Sequence, residues 1–309
     1  MTATPVQPAQ RSAQSAAQML ADAIAQVQRV IVGQEHMVEQ LMVALLAKGH
    51  CLVEGVPGTA KTLAVRSFAT VVGGEFARIQ FTPDLVPSDI VGTRIYSAKK
   101  PFIVIATQNP IESEGVYPLP EAQRDRFLLK VDVDYPRGNE EFEILRRMSV
   151  SAPRPDPVLS PELVIQLQDR AAQIFVHNLV AEYIVRLVLA TRNPSDFGMP
   201  DLANVISIGC SSRATLGLVA ASRALALIHG RDYVLPTDVQ AVAKDVMAHR
   251  LLLTFDAVAD NVSPGQVVER IVAMVPPPTP VWNQPGARPP QQAMPQQAPP
   301  QQGMPRQGP

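Results

Sequence analysis

Gly55-Val56-Pro57-Gly58-Thr59-Ala60-Lys61-Thr62 lies between a short apolar run, Cys51-Leu52-Val53, and a helical pattern from Leu63 to Val72. Strand, Gly-rich turn, Lys-Thr and helix is the layout of a phosphate-binding loop. Backbone N–H groups in such a turn and the positive end of the following helix converge on one spot, which favours an anion. Lys61 is then placed to reach the β- and γ-phosphates, and the Thr62 hydroxyl to ligate Mg²⁺. Ala60 stands where the consensus has its second glycine. Alanine disfavours positive φ, so the residue is expected to be helical already. Without a bound anion the same residues make an ordinary Gly/Pro turn between a strand and a helix.

Working outward, residues 1–15 are Ala/Gln/Thr/Pro-rich and read as disordered, with no apolar core of a secretory signal. Leu20, Ile24 and Val27 give an amphipathic first helix, and Met37, Leu41 and Leu45 a second after Ile31-Val32-Gly33-Gln34. Beyond the loop and its helix, Gly73-Gly74 is a helix stop and Glu75–Phe81 alternates like a strand. Phe102-Ile103-Val104-Ile105-Ala106 reads as a buried central strand of a parallel sheet, ending in Thr107-Gln108-Asn109-Pro110. A turn-rich loop, a helical segment Glu121–Leu128 and a strand Leu129–Val133 follow. From Pro136 the patterns are helical: Asn139–Met148, a helix opened by Ser160-Pro161-Glu162, Val180–Arg192, Arg213–His229, and one started by a capping box at Thr237-Asp238-Val239-Gln240. The organisation is an α/β core with a parallel sheet at 16–136 and an all-helical lid at 137–275. A tail at 276–309 has 12 Pro and 8 Gln among 34 residues and leans to extended disorder.

Composition narrows the partners. The formal net charge of −1 gives no global attraction to nucleic acid or an anionic membrane surface. No apolar run approaches the ~18 residues of a membrane span. Cys51 and Cys210 make no disulfide framework, which reads as reduced and cytoplasmic.

The loop at 55–62, the segment Arg78–Gly92, Ala106-Thr107-Gln108-Asn109-Pro110 and Glu114–Phe127 together resemble the MoxR family of AAA+ ATPases over roughly residues 30–275. Ala60 is itself what that family tends to show. The resemblance implies an ATP- and Mg²⁺-dependent ATPase that remodels or matures partner proteins. It also implies a homo-oligomer, a hexameric ring, with a von Willebrand factor A-domain partner. Ile31, Val32 and Gly33 would line the adenine pocket, and Gly55, Val56, Pro57, Gly58, Thr59, Ala60, Lys61, Thr62 and Leu63 would hold the phosphates. Asn109 resembles the sensor 1 residue that orients the attacking water. Arg126, in Asp125-Arg126-Phe127, resembles the arginine finger given to a neighbouring subunit; Arg124 takes its place if the register differs. Arg213, opening a lid helix, resembles sensor 2, and a cation at a helix start points to an outside anion such as phosphate.

One part is missing. Only 40 residues separate Thr62 from Ile103, and no hydrophobic run in the chain ends in Asp-Glu. The family places its Walker B strand in that interval, where the Asp serves Mg²⁺ and the Glu polarises water. Leu128–Asp134 and Leu251–Asp256 combine aliphatics with an acid, but both come after Asn109. An internal deletion at 100/101 accounts for this, and it would remove a strand expected next to the phosphate-loop strand, leaving its neighbours with unpaired backbone groups or pairing across the gap. A nucleotide-binding but hydrolytically inert subunit is therefore the alternative. A small-molecule P-loop kinase fits less well with a helical lid bearing Arg213.

Overall fold

The computed structural model describes residues 8–78, 102–109, 119–149 and 153–278. Helix α1 (Pro8–Val30) begins inside the stretch 1–15 expected to be disordered. Proline suits a first helical turn, where its missing N–H is not needed, and the Ala and Gln that follow have good helix propensity. Leu20, Ala23, Val27 and Val30 form its buried side. Helix α2 (Glu35–Leu46) is buried almost throughout from Met37 onward, so it is a core helix.

Strand β1 (Cys51–Gly55) leads through the loop into α3 (Lys61–Val71). Strand β2 (Ile105–Gln108), a single helical turn α4 (Glu121–Arg124) and strand β3 (Leu129–Val133) follow. The three strands form one parallel sheet in the order β2-β1-β3. Cys51 faces Ile105 on one side and Leu129 on the other, and Gly55 faces Val133. Cys51, Leu52, Val53, Leu129, Val131 and Val133 are buried.

Two expectations change here, and one alternative is decided. No strand forms over residues 74–78, the described approach to Glu75–Phe81. The aliphatic run 102–106 yields its strand only from Ile105, and among the described residues this strand is an edge. Phe102 and Val104 are 51% and 37% exposed, which a central strand would not allow. Finally, β1 is hydrogen-bonded on both sides, so a deletion at 100/101 has not opened a gap beside the phosphate-loop strand. The backbone groups that would be costliest to leave unpaired are satisfied. Residues 79–101 and 110–118, with most of the Arg78–Gly92 and Glu114–Phe127 similarity up to Pro118 and the 100/101 join, lie outside the described residues. So does the tail beyond Pro278.

The helical part comprises α5 (Gly138–Met148), α6 (Pro161–Gln173), α7 (Asn178–Arg192), α8 (Ser212–Ile228), α9 (Pro236–Met247), α10 (Phe255–Ala259) and α11 (Pro264–Met274). It is not wholly helical, because β4 (Ile206–Ile208) pairs antiparallel with β5 (Leu252–Leu253). The aliphatics of Leu251–Asp256 thus serve β5 and the start of α10. Ser160 caps α6 as expected, its Oγ accepting from the Leu163 N–H at 3.2 Å. Helix α9 is capped differently from the Thr237 reading. Asp238 reaches back to the Leu235 N–H (2.8 Å) and takes both Arg231 guanidinium nitrogens at 2.6 Å, a buried bidentate pair stronger than a hydroxyl cap. Helix α8 packs on α6, α7 and α9 and also on α1 and α2, so the helices and the sheet share one core up to Pro277.

Gly55 is required by the sheet itself. A Cβ built on it would lie 2.2 Å from the Val133 carbonyl oxygen. Gly55→Ala is expected to lower stability by about 1–3 kcal/mol through forced separation of β1 and β3, measured by urea unfolding; an unchanged midpoint would contradict this packing.

Candidate nucleotide site and the arginine cluster

In a parallel sheet all carboxyl ends lie on one edge, where α/β folds gather their ligands. Here that edge carries the loop after Gly55, Asn109 just beyond Gln108, and Asp134 just beyond Val133. The turn at 31–34 joins them, because Gln34 Nε2 donates to the Asp134 carbonyl at 2.8 Å. Gly33 and Gln34 are successive left-handed residues (φ 69° and 58°), which turns the chain sharply from α1 into α2. Ile31 and Gly33 are buried and Val32 is half-buried in this turn. Ile31, Val32, Gly33, the loop 55–62 and Asn109, far apart in sequence, are therefore assembled along one edge.

The loop is open, with Pro57, Gly58, Ala60, Thr62 and Leu63 exposed. Lys61 curls back over it. Its Nζ donates to the carbonyls of Gly55 (2.7 Å) and Val56 (2.6 Å) and lies 3.3 Å from Thr59 Oγ1. Buried Thr59 donates to the Val56 carbonyl at 2.9 Å and stiffens the turn. The Thr62 side chain is exposed in the first turn of α3. Among the described residues no group of three His, Cys, Asp or Glu could hold a metal. Ala60 corrects the expectation that it would be helical: it sits just before α3 at φ 58° and ψ 18°. A left-handed conformation costs an L-residue ~1–2 kcal/mol, and the tight approach to the helix enforces it.

Arg126 and Arg213 lie elsewhere. Arg126 is exposed in the turn before β3, whose first residue, Leu129, is level with Cys51 at the amino end of β1. Four strand steps, about 13 Å, separate that level from Gly55. Arg213, in the first turn of α8, is fastened to this same turn: its Nη1 donates to Asp125 Oδ2 at 2.7 Å. Its outside anion in this structure is thus a carboxylate. Ser211, the cap of α8, also reaches Asp125, at 3.3 and 3.4 Å. Half-buried Arg124 keeps its Nε from solvent, without a hydrogen-bond partner among the described residues.

Behind the turn sits Arg250, its side chain 3% exposed. It donates to Asp125 Oδ1 (3.1 Å) and to the carbonyls of Phe127 (2.6 Å), Leu128 (3.2 Å), Asp125 (3.3 Å) and Val246. His249 adds a hydrogen bond to the Phe127 carbonyl at 3.1 Å. Burial pushes the Asp125 carboxyl up, but the Arg213 hydrogen bond and the charges of Arg250 and Arg213 outweigh it and hold it below the usual value. Burial, with Arg250 alongside, pushes the His249 imidazole down to about 3, so it is neutral and donates through Nε2–H. Asp125, His249 and Arg250 were not among the residues singled out from sequence. Asp125 adjoins Arg126, but the Arg250 contact spans 125 positions and has no local signature. Cys51 and Cys210 are free and buried, their thiols pushed up to about 12 and 11.

Known proteins match this arrangement. Residues 50–101 and 97–129 match the "ATPase family associated with various cellular activities (AAA)", and residues 202–271 match the "AAA lid domain". The chain is 48% identical to Chaperone MoxR1 of Mycobacterium tuberculosis over 304 aligned positions, which take in 82% of this chain and 81% of that protein. The chain belongs to the MoxR family of AAA+ ATPases. Protein YeaC of Bacillus subtilis is 36% identical, with 83% of this chain and 94% of that protein covered. A crystal structure of a candidate ATPase from Cytophaga hutchinsonii superposes with a TM-score of 0.79 at 33% identity, covering 87% of this chain and 98% of that one. Since 82% of 309 residues is about 253, about 50 of the 304 positions aligned with Chaperone MoxR1 face no residue here. The AAA match breaks into two pieces that meet at residues 97–101, at the Lys100-Pro101 join.

Two outcomes follow from this geometry. Ala60→Gly relieves the left-handed strain, offset in part by the entropy glycine adds to the unfolded chain, and should raise stability by up to about 1 kcal/mol; a fall in melting temperature would contradict the assigned φ. His249 binds a proton in the unfolded chain below pH 6.5 but not in the folded one until about pH 3. Stability should therefore fall on acidification through that window, with a slope approaching about 1.4 kcal/mol per pH unit. Denaturant titrations of wild type and His249→Gln between pH 4.5 and 7.5 test it, the variant showing the shallower dependence.

Proposed function

We propose that this chain binds Mg·ATP along the carboxyl edge of its sheet and works as a MoxR-type, chaperone-like remodelling ATPase. The observation that carries the reading is the assembly of the 31–34 turn, the loop 55–62 and Asn109 on one edge, with Lys61 poised over the loop. Phosphate oxygens would take Lys61 from the Gly55 and Val56 carbonyls, and the loop N–H groups with the start of α3 would complete the cradle. Ile31, Val32 and Gly33 would face the adenine, Leu63 would flank the phosphates, and Thr62 would hold Mg²⁺ with the phosphate oxygens. The metal would offset charge on the phosphates.

Arg126 and Arg213 lie at the level of the opposite edge, which favours their service to a neighbouring subunit in a homo-oligomer, as an arginine finger and a second sensor. A cytoplasmic hexameric ring acting on clients with a von Willebrand factor A-domain partner completes the reading. Among the described residues no helix is long and apolar enough to cross a membrane.

A second reading has its own support. The chain has no Walker B acid pair, about 50 aligned positions of the relative face no residue here, and the AAA match is broken into two pieces at residues 97–101. On this reading the subunit binds nucleotide without turning it over, since water activation is a large part of what such sites contribute. Phosphate release and nucleotide affinity, measured over a range of protein concentration against Lys61→Ala, separate the two. Turnover that rises steeply with concentration and vanishes in Lys61→Ala supports the active ring. Lys61-dependent binding without phosphate release supports the inert subunit, and equal binding by both proteins would sink the nucleotide site itself.

A further inference from the structure

We propose that Asp125 is a positioning residue: anchored from behind by buried Arg250, it holds Arg213 beside Arg126 so that both guanidinium groups meet the nucleotide phosphates of a second copy of this chain. This rests on the reading that Arg126 and Arg213 serve a neighbour.

The chain of contacts runs from the interior outward. Arg250 has three of its acceptors in the backbone carbonyls of Asp125, Phe127 and Leu128, so the turn that carries Arg126 is fastened to the end of α9. The two oxygens of Asp125 are divided: Oδ1 takes Arg250, Oδ2 takes Arg213, and Ser211 Oγ lies within 3.4 Å of both. Arg213 therefore spends one nitrogen on its anchor. A guanidinium carries five N–H donors in a rigid fork. Its Nε and Nη2 have no hydrogen-bond partner among the described residues, and the side chain is 58% exposed. An arginine pinned at one corner and open at the others is preorganised for a phosphate, because the ordering is done before the anion arrives.

The charges agree. Arg124, Arg126, Arg213 and Arg250 stand around or within one turn, and the carboxylate of Asp125 is the acid bound into it. The patch is left with an excess of positive charge, and its outer members are the two arginines already expected to meet phosphate. Asp125 itself is 22% exposed at its side chain, below the surface that Arg126 and Arg213 present. Its part is to aim Arg213.

The test uses the full chain with Mg²⁺ and a non-hydrolysable ATP analogue, so that turnover is not needed. The readout is the analogue concentration giving half-maximal assembly in sedimentation velocity. Arg213→Gln and Asp125→Asn should each raise it by about three- to tenfold, and the double variant should be no worse than Arg213→Gln alone. Asp125→Glu keeps a counter-charge for Arg250 but shifts the carboxylate by one methylene. It should raise the half-point while leaving the melting temperature near wild type, and it serves if Asp125→Asn does not fold. A folded Asp125 variant that assembles like wild type, or a double variant whose losses multiply, overturns the proposal. If Arg213→Gln and Arg126→Ala also assemble like wild type, or wild type does not assemble with nucleotide, the reading of a shared site fails and takes the proposal with it. Impaired Arg213→Gln beside unimpaired Asp125 variants removes the proposal alone.

Discussion

The parallel pairing of β1 with a strand on each side is the constraint on which the rest of this molecule depends. It satisfies the backbone of a strand whose residues are buried, and it sets the level of everything attached to the strand ends. Because β2 and β3 run in the same direction as β1, the residues that follow all three strands share one edge. The residues that precede them share the other. The separation of a phosphate-type loop from the arginine-bearing turn is thus a property of strand direction, with no further device needed.

Burial of Arg250 is the second constraint. Removing a guanidinium from water is costly unless its donors are met. Here the acceptors come from the turn at 125–128 and from α9, so the same residue that must be satisfied also joins the sheet to the helical part. His249, neutral and bonded to the Phe127 carbonyl, closes the same seam. The turn that carries Arg126 is thus held from two sides, by Arg250 and His249 from the helical part and by the Leu128 N–H on the His50 carbonyl (2.8 Å) just before β1. The pair of His36 on α2 with buried Asp245 on α9, at 2.7 Å, is another tie between the two parts.

Features with a local cause were legible in the amino-acid order. Strand β3 appears over its expected residues, since Leu129, Val131 and Val133 alternate inward. Ser160 caps its helix because the hydroxyl needs only the next turn. The position of β2 was not legible, because its aliphatic run has the composition of a central strand, and whether a strand is central depends on what pairs with it. The conformation of Ala60 was misread for a related reason. Preference argues against positive φ, but the chain must pass from β1 into α3 within a few residues, and that closure outweighs a cost of ~1–2 kcal/mol.

The sequence by itself determined the family, the phosphate-type loop, the lack of a Walker B acid pair and the existence of most elements, because each rests on neighbours in the chain or on short periodic patterns. Only the tertiary structure decided that β1 keeps both partners and that Arg213 stands with Arg126. It alone decided that Asp125 and Arg250 join them, the last across 125 positions. The physical reason is that hydrogen bonds and charge pairs act over a few ångströms of space, whatever the length of chain between the groups that make them.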